Sequence, residues 1–397
     1  MRWLTLAYLL AVVTAAAGTQ SVAAGPVVLV VVLDGMRPDH LGCYGALTHA
    51  SPVIDALGAS GIVFTRAYAT SAVADASIAG ILTSQLPSAD TPERADVATA
   101  LAAAGAITAA VTTAPEDEPR GRRRGFRDFA TVPSVDDTAS MAAGFTGADR
   151  AAFPLLLWMQ THRRELLSQR VFLWWRQDVT RLGRLPAAEF VRRYLPAPLD
   201  LGLEGLQRRL LAGDVRFAPT ELRQLAAVHD AAIAQSDAAL ARVLDQLRAP
   251  EIARRLWVIV TASFGEALGE HATVGHGTTL YDEVIHVPLI VLPPLGGARG
   301  RRYPEPVGLI DLAPTILGLA GVAAVPEFRG RDLGPIIHGG TMRPVDIVAE
   351  VPARTADRVH TRAVIDGRWH KRIERADGRT EVFDLRSDPG ELQPLAP

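Results

Sequence analysis

The sequence predicts an α/β fold in which helices flank a central, mostly parallel sheet and a small antiparallel unit follows near the C-terminus. Three observations carry that expectation. Val27–Leu33 (VVLVVVL) is an unbroken run of branched aliphatic residues, the pattern of a strand buried on both faces of a parallel sheet. Strand-like and helix-like segments then alternate along the chain. Arg362–Leu385 instead alternates with the period of antiparallel strands, around a turn at Ala376-Asp377-Gly378.

The chain begins with a targeting pattern. Met1-Arg2 supplies a positive charge, an apolar stretch runs from Trp3 to about Ala17, and Ser21-Val22-Ala23-Ala24 offers small-residue cleavage sites. Residues 1–24 therefore read as a signal peptide, and the mature protein as exported, in a bacterium to the periplasm or medium. The apolar run is short of the ~20 residues that a spanning helix needs, and no later segment reads as transmembrane.

Ser51–Ser60 and Val97–Ala104 have helical character, and Ile107–Val111 reads as a second strand. Pro115–Arg127 is a charged loop. Thr220–Leu247 is a long helix, because Leu225, Val228, Ile233, Leu240, Val243, Leu244 and Leu247 recur mostly at helical spacing. Trp257–Thr261 (WVIVT) and Pro288–Leu292 (PLIVL) are further buried strands, and Leu309–Leu319 another helix. Three parts are expected after the signal peptide: a main α/β domain over 25–340, a helical insertion within it over 150–215, and a small C-terminal subdomain over 341–397.

Composition excludes several classes. Of 397 residues, 48% are hydrophobic and 21% charged, which rules out a disordered chain. The 41 basic and 43 acidic side chains nearly cancel, so no global field recruits nucleic acid or anionic membrane. Cys43 is the one cysteine, so a disulfide framework and a cysteine-based metal centre are excluded.

Several motifs in fixed order resemble the sulfatase family, within the alkaline phosphatase superfamily. They are Leu33–Gly45 (LDGMRPDHLGCYG), Ser51–Phe64 (SPVIDALGASGIVF), Ala67–Pro87, Val260–Leu292, Val307–Gly321 (VGLIDLAPTILGLAG) and Val382–Leu395 (VFDLRSDPGELQPL). The resemblance implies an alkaline phosphatase-like sandwich. It also implies a sulfuric ester hydrolase that uses a divalent cation, usually calcium, held by hard oxygen ligands. The family's nucleophile is a cysteine converted to formylglycine in a C-x-P-S-R run at a helix N-terminus, where the helix dipole favours an anion.

Laid on this chain, the C-x-P-S-R run is Ala74-Asp75-Ala76-Ser77-Ile78. Ala74 stands at the nucleophile position, and a methyl group cannot attack an ester. Of the metal ligands that the resemblance implies, Asp34 remains at the end of the first strand, followed by Gly35 where many members carry a second Asp. The later signature reads Thr261-Ala262-Ser263-Phe264-Gly265-Glu266, which leaves Ser263 as a weak oxygen ligand and Phe264 as none. The expectation is a degenerate site with no cofactor, or calcium if activity remains.

The surviving polar residues each have two readings. His276, in Gly275-His276-Gly277, roughly matches a position that in the family contacts the substrate anion, although a structural hydrogen bond is the leading reading. Asp75 offers a carboxylate to a substrate or to its own helix start. His271 has loop-shaping character, and Asp39 and His40 suit fixing the loop that carries Asp34. Thr70, Ser71 and Ser77 are the hydroxyls near Ala74, each needing a base within about 3 Å to act. In the middle, Pro154–Trp158 (PLLLW) fits a family strand, and His162 is the one echo of the run that follows it. Residues 158–184, with Val171–Arg176 (VFLWWR) among several arginines, read as a helix. That helix either packs its tryptophans on the core or presents aromatic and Arg residues to a membrane surface, an anionic glycan or a partner protein.

Three functions follow from the residues, one of them a structural partner in a periplasmic assembly that would use the Trp/Arg segment and not the cleft. Another is a non-catalytic, exported protein that binds an anionic glycan, a sulfated or phosphorylated small molecule, or a protein partner. The alternative is an active hydrolase of sulfate, phosphate or phosphonate esters with a rearranged site around Asp34, Asp75, Ser77, Ser263 and His276.

Overall fold

The structure, a computed structural model, describes residues 24–89, 95–113, 123–132, 147–178, 180–195, 205, 208–210, 212, 216–297, 300–352, 361–375 and 377–395. The expected signal peptide up to Ala23, much of the charged loop after Pro115 and the turn residue Ala376 lie outside them. Among the described residues, no helix is long and apolar enough to cross a membrane.

A nine-stranded sheet forms the centre. Its strands are β1 Val27–Leu33, β2 Ile62–Tyr68, β3 Ile107–Thr112, β4 Asp128–Thr131, β5 Val171–Gln177, β6 Leu256–Thr261, β9 His286–Leu292, β10 Arg301–Tyr303 and β11 Val307–Gly308. The two-residue strands β7 Ala267–Leu268 and β8 Val274–Gly275 pair separately. Spatial order is β10-β2-β9-β6-β1-β5-β3-β4, with β11 also on β2. Every pairing is parallel except those of β9, which runs against both β2 and β6. All seven residues of β1 are buried, as a strand with neighbours on both edges and helices over both faces requires.

Two groups of helices flank the sheet. The long helix Pro219–Gln246 packs against Gly147–Thr161, Ala188–Tyr194 and α1 Pro52–Ser60, while Leu312–Leu319 packs against α2 Ala74–Thr83 and α3 Val97–Ala103. Asp237 of the long helix accepts the backbone N–H groups of Val53 (3.0 Å) and Ile54 (2.8 Å), tying the start of α1 to its neighbour. A four-stranded antiparallel sheet, β12 Ile347–Val351, β13 Thr361–Ile365, β14 His370–Glu374 and β15 Thr380–Asp384, follows at the C-terminal end. Lys371, the sole lysine of the chain, is fully buried on β14 and joins this sheet to the main body. Its Nζ lies 2.7 Å from Asp282 and 2.8 Å from Glu391.

The middle of the chain differs from its sequence reading in two places. Val171–Arg176 is the fully buried strand β5, wedged between β1 and β3, rather than part of a helix. Trp174 and Trp175 are adjacent and both in the core, which a strand allows by sending successive side chains to opposite faces. The helical insertion expected over 150–215 thus contains a central strand. Pro154–Trp158 is helical rather than a strand, with Pro154 inside the helix. Ala152, Leu155 and Met159 are buried while Phe153 and Leu157 are exposed, a helical rather than a two-residue period.

These corrections change the surface that residues 158–184 were expected to present. Trp174 and Trp175 are core residues. Trp158 is half-buried, donates from Nε1 to Asp128 at 2.9 Å and stacks on His162 with ring centroids 4.4 Å apart. Asp128 begins β4, so His162 lies at the edge of the sheet opposite the strands' C-terminal ends.

Two predictions concern this frame. Burial pushes the Asp237 carboxyl up to about 6, against the pull of the Val53 and Ile54 amides. Because the folded value exceeds the unfolded one, this group's contribution is full at low pH and fades as pH rises from about 4 through 6. Relative to Asp237→Asn, the wild-type protein should lose stability over that window, by on the order of 3 kcal/mol, in urea unfolding at pH 4 and pH 7. Replacing Lys371 with Met leaves Asp282 and Glu391 facing each other without their cation. The expected cost, about 3–5 kcal/mol, is checked by urea unfolding at pH 7.

Candidate functional site

Parallel strands bring their C-terminal ends to one edge of the sheet, and ligand sites of open α/β sheets form there. Asp34 directly follows β1, Gln177 ends β5, and Ser263 lies two residues past β6. The register sets Val32 of β1 beside Arg176 of β5 and Thr261 of β6. Three chain segments distant in sequence therefore meet around one carboxylate.

That carboxylate is completely buried and fully engaged. Arg176, also at zero exposure, donates from Nε to Asp34 Oδ2 at 2.8 Å, and its Nη2 lies 2.6 Å from the same oxygen. The Ser263 hydroxyl donates to Asp34 Oδ1. Around the backbone of Asp34, the N–H donates to the Gln177 carbonyl at 2.8 Å and the carbonyl accepts from the Thr180 hydroxyl. Next to it, Asp178 accepts from Thr113 (2.7 Å) and Arg184 (2.8 Å), while burial raises its pKa above the ordinary carboxylate value.

Gly35 follows in the left-handed region, φ +86°, and its N–H donates to the Phe264 carbonyl at 3.0 Å. A Cβ there would meet the Thr180 carbonyl at 2.8 Å and Glu266 Cγ at 2.9 Å. The conformation and the crowding together require glycine, so this loop has no room for a second aspartate.

Phe264 closes the next wall. It is buried and stacks on His276, with ring centroids 3.9 Å apart and 20° between planes. Glu266, at zero exposure, orients His276: its Oε1 lies 3.0 Å from Nδ1 and accepts the Leu182 N–H at 3.0 Å. Its second oxygen has no hydrogen-bond partner. Arg37 spans the neighbouring loops, donating to the Glu266 carbonyl (3.0 Å), to Glu270 (2.8 Å) and to both oxygens of Asp39. His40 pairs with Asp230 of the long helix at 2.7 Å. His271 bonds Glu283 (2.8 Å) and the Glu391 carbonyl (3.0 Å), and lies flat on Tyr281.

Asp34 and Ser263 thus come together directly, and His276 joins them through Phe264 and Glu266. The α2 residues are a separate group. Ala74 is buried at the first position of α2, and the Ser77 hydroxyl is buried without a partner. Asp75 is exposed in the first turn, where its charge suits the positive end of the helix; the capping position is Val73, with no side-chain cap. Ser71 is committed to the Glu350 carbonyl at 2.6 Å, and Thr70 is pressed against Gly80. None of these hydroxyls has a base within hydrogen-bond reach.

Sequence reasoning missed Arg176, Glu266 and Gln177. Arg176 was visible as a charge closing a buried apolar run, but its importance needs β5 placed beside β1.

The donor set suits a guanidinium and not a divalent cation. At about 4 Å and an effective dielectric near 20, a doubly charged ion gains about 8 kcal/mol from one carboxylate and loses about as much to one guanidinium. Ser263 spends its proton on Asp34, and among the described residues no group of three His, Cys, Asp or Glu side chains is placed to hold a metal.

Comparison with known proteins agrees with the resemblance. The family model described as Sulfatase matches residues 26–171 and 176–322. Mouse (Mus musculus) arylsulfatase K is 30% identical over 192 residues, covering 46% of this chain and 34% of the relative, so the match spans about a third of that protein. In structure, the phosphonate monoester hydrolase of Agrobacterium radiobacter superposes with a TM-score of 0.76 at 18% identity, covering 93% of this chain and 91% of that one. A protein solved in complex with its substrate D-glucosamine-2-N,6-O-disulfate gives a TM-score of 0.71 at 16% identity, covering 94% and 92%.

Asp34→Asn tests the buried pair. It removes the carboxylate charge that lies 2.6 Å from the buried Arg176 guanidinium, and the expected loss is about 3–5 kcal/mol in urea unfolding. A loss below about 1 kcal/mol, the scale of an exposed pair, would show that Arg176 does not depend on Asp34.

Proposed function

Because the chain belongs to the sulfatase family, we propose that it is a sulfatase-fold protein in which catalysis has been lost and anion recognition kept. The single observation that carries this reading is the Arg176–Asp34 ion pair: a built-in guanidinium holds the carboxylate to which the resemblance assigns calcium. Ala74 at the start of α2 supports it, since no nucleophile stands at the helix N-terminus. A metal-free site follows from both. The partner class we favour is an anionic glycan, because a structural neighbour is described with a disulfated glucosamine as its substrate. His276, held by Glu266 and Phe264, is the polar side chain of this cleft best arranged to contact it. Export through residues 1–24 would place the protein where such glycans occur.

Metal content and binding test the proposal together. The purified full chain, dialysed against calcium, magnesium, manganese and zinc in turn, should retain well under one equivalent of each by elemental analysis. It should give no turnover of aryl sulfate or phosphonate monoester. Titration with D-glucosamine-2-N,6-O-disulfate should show saturable binding that His276→Ala weakens. One equivalent of metal lost in Asp34→Ala, together with ester turnover, would instead establish an active hydrolase with a rearranged site.

A further inference from the structure

We propose that Arg66 and Trp369 form a second ligand site, at the junction of the main body and the C-terminal sheet, for a small organic oxyanion of single charge. This goes beyond the reading of the Asp34 cleft and does not depend on it.

Arg66 lies on β2 and is 97% buried, at 3% exposure. None of its three side-chain nitrogens has a hydrogen-bond partner. The Tyr68 hydroxyl, two residues on, lies close enough to interact with the guanidinium, but off the angle of a full hydrogen bond, so the donors remain largely open. A guanidinium carries five donors and stays charged, so burying it unsatisfied costs several kcal/mol unless something accepts those donors. The guanidinium faces a cavity of about 360 Å³ whose walls include Arg37, Thr65, Tyr68, His286 and Trp369. That volume lies in the small-molecule range.

The site has a built second wall. Trp369 comes from the C-terminal sheet, and its ring centroid lies 3.8 Å from the Arg66 guanidinium carbon. It holds a backbone φ of +77°, which bulky residues rarely adopt and which is retained only where the surroundings enforce it. Its carbonyl accepts the Leu385 N–H at 2.7 Å, fixing the turn before β14. Stacking on the indole holds the guanidinium plane and leaves its edge for a two-oxygen acceptor.

The charges around the cavity set the ligand's valence. Asp39, Glu270, Asp282 and Glu283 also line it. Each already has a partner: Asp39 and Glu270 share Arg37, Asp282 holds Lys371, and Glu283 holds His271. Arg66 is thus the cation of the wall without an ion pair, while the acidic surroundings repel a doubly charged group. A carboxylate or a sulfate monoester on a sugar-sized body meets both conditions; a phosphate dianion does not.

Calorimetric titration of the full chain tests this with four probes: glucuronate, methyl sulfate, inorganic phosphate at pH 8 and glucose. Glucuronate or methyl sulfate should bind saturably, the stronger of the two showing whether the site takes planar or tetrahedral oxyanions, and glucose and phosphate should not. Arg66→Gln should weaken binding at least tenfold, and Trp369→Leu, which leaves the guanidinium in place, several-fold. Both variants are first shown to melt cooperatively. His276→Gln should leave the affinity within twofold, separating this site from the Asp34 cleft. Absence of binding by either monoanion, or binding that survives both Arg66→Gln and Trp369→Leu, would overturn the proposal.

Discussion

The Arg176–Asp34 pair is the constraint around which the centre of this protein is arranged. Two opposite charges at zero exposure are tolerable only when each satisfies the other, because desolvating either alone costs several kcal/mol. That requirement fixes β5 beside β1 in one register, since a shift of one residue would turn Arg176 to the other face. It also leaves the Asp34 carboxylate with both oxygens occupied by protein donors.

The residues around the pair are likewise committed to one another. A cation site needs several oxygen ligands converging on one point. Here Gly35 cannot carry a side chain, Ser263 gives its proton to Asp34, and Phe264 spends its face on His276. His276 is in turn fixed by a buried glutamate that also secures the loop at Leu182. Together these contacts are a connected set of hydrogen bonds and stacked rings that holds the strand ends and loops in place.

How much of this was legible in the sequence follows from how local the signals are. β1 was readable because seven consecutive branched residues have few other uses, and the motifs at Asp34, Ala74 and Ser263 fell at element ends because parallel topology puts them there. Val171–Arg176 was misread because a short run mixing tryptophan and arginine fits an amphipathic helix as well as a strand; periodicity alone does not separate them. Pro154–Trp158 was misread in the opposite sense, its contiguous apolar residues masking a helical period that Phe153 and Leu157 complete on the exposed side. The roles of Arg176 and Arg66 were not readable. The importance of each depends on a partner, or the lack of one, that only the assembled sheet reveals.

The contrast between those two arginines shows where a buried cation is structural and where it is available. Arg176 and Arg66 are both almost wholly inaccessible, so their intrinsic charge costs the fold a similar amount. Arg176 recovers that cost from a carboxylate in its own chain, at short distance, with two nitrogens on one oxygen. Arg66 recovers part of it from the face of Trp369, which satisfies no N–H donor and gives a cation–π contact of about 2 kcal/mol when desolvated. The strained backbone at Trp369 adds a cost of order 1–3 kcal/mol to holding that ring in place. A protein selected for stability alone would place an acidic partner beside Arg66, as it does for Arg37 and Lys371 close by. Leaving the guanidinium's donors open toward a cavity makes physical sense where the missing acceptor arrives from solution.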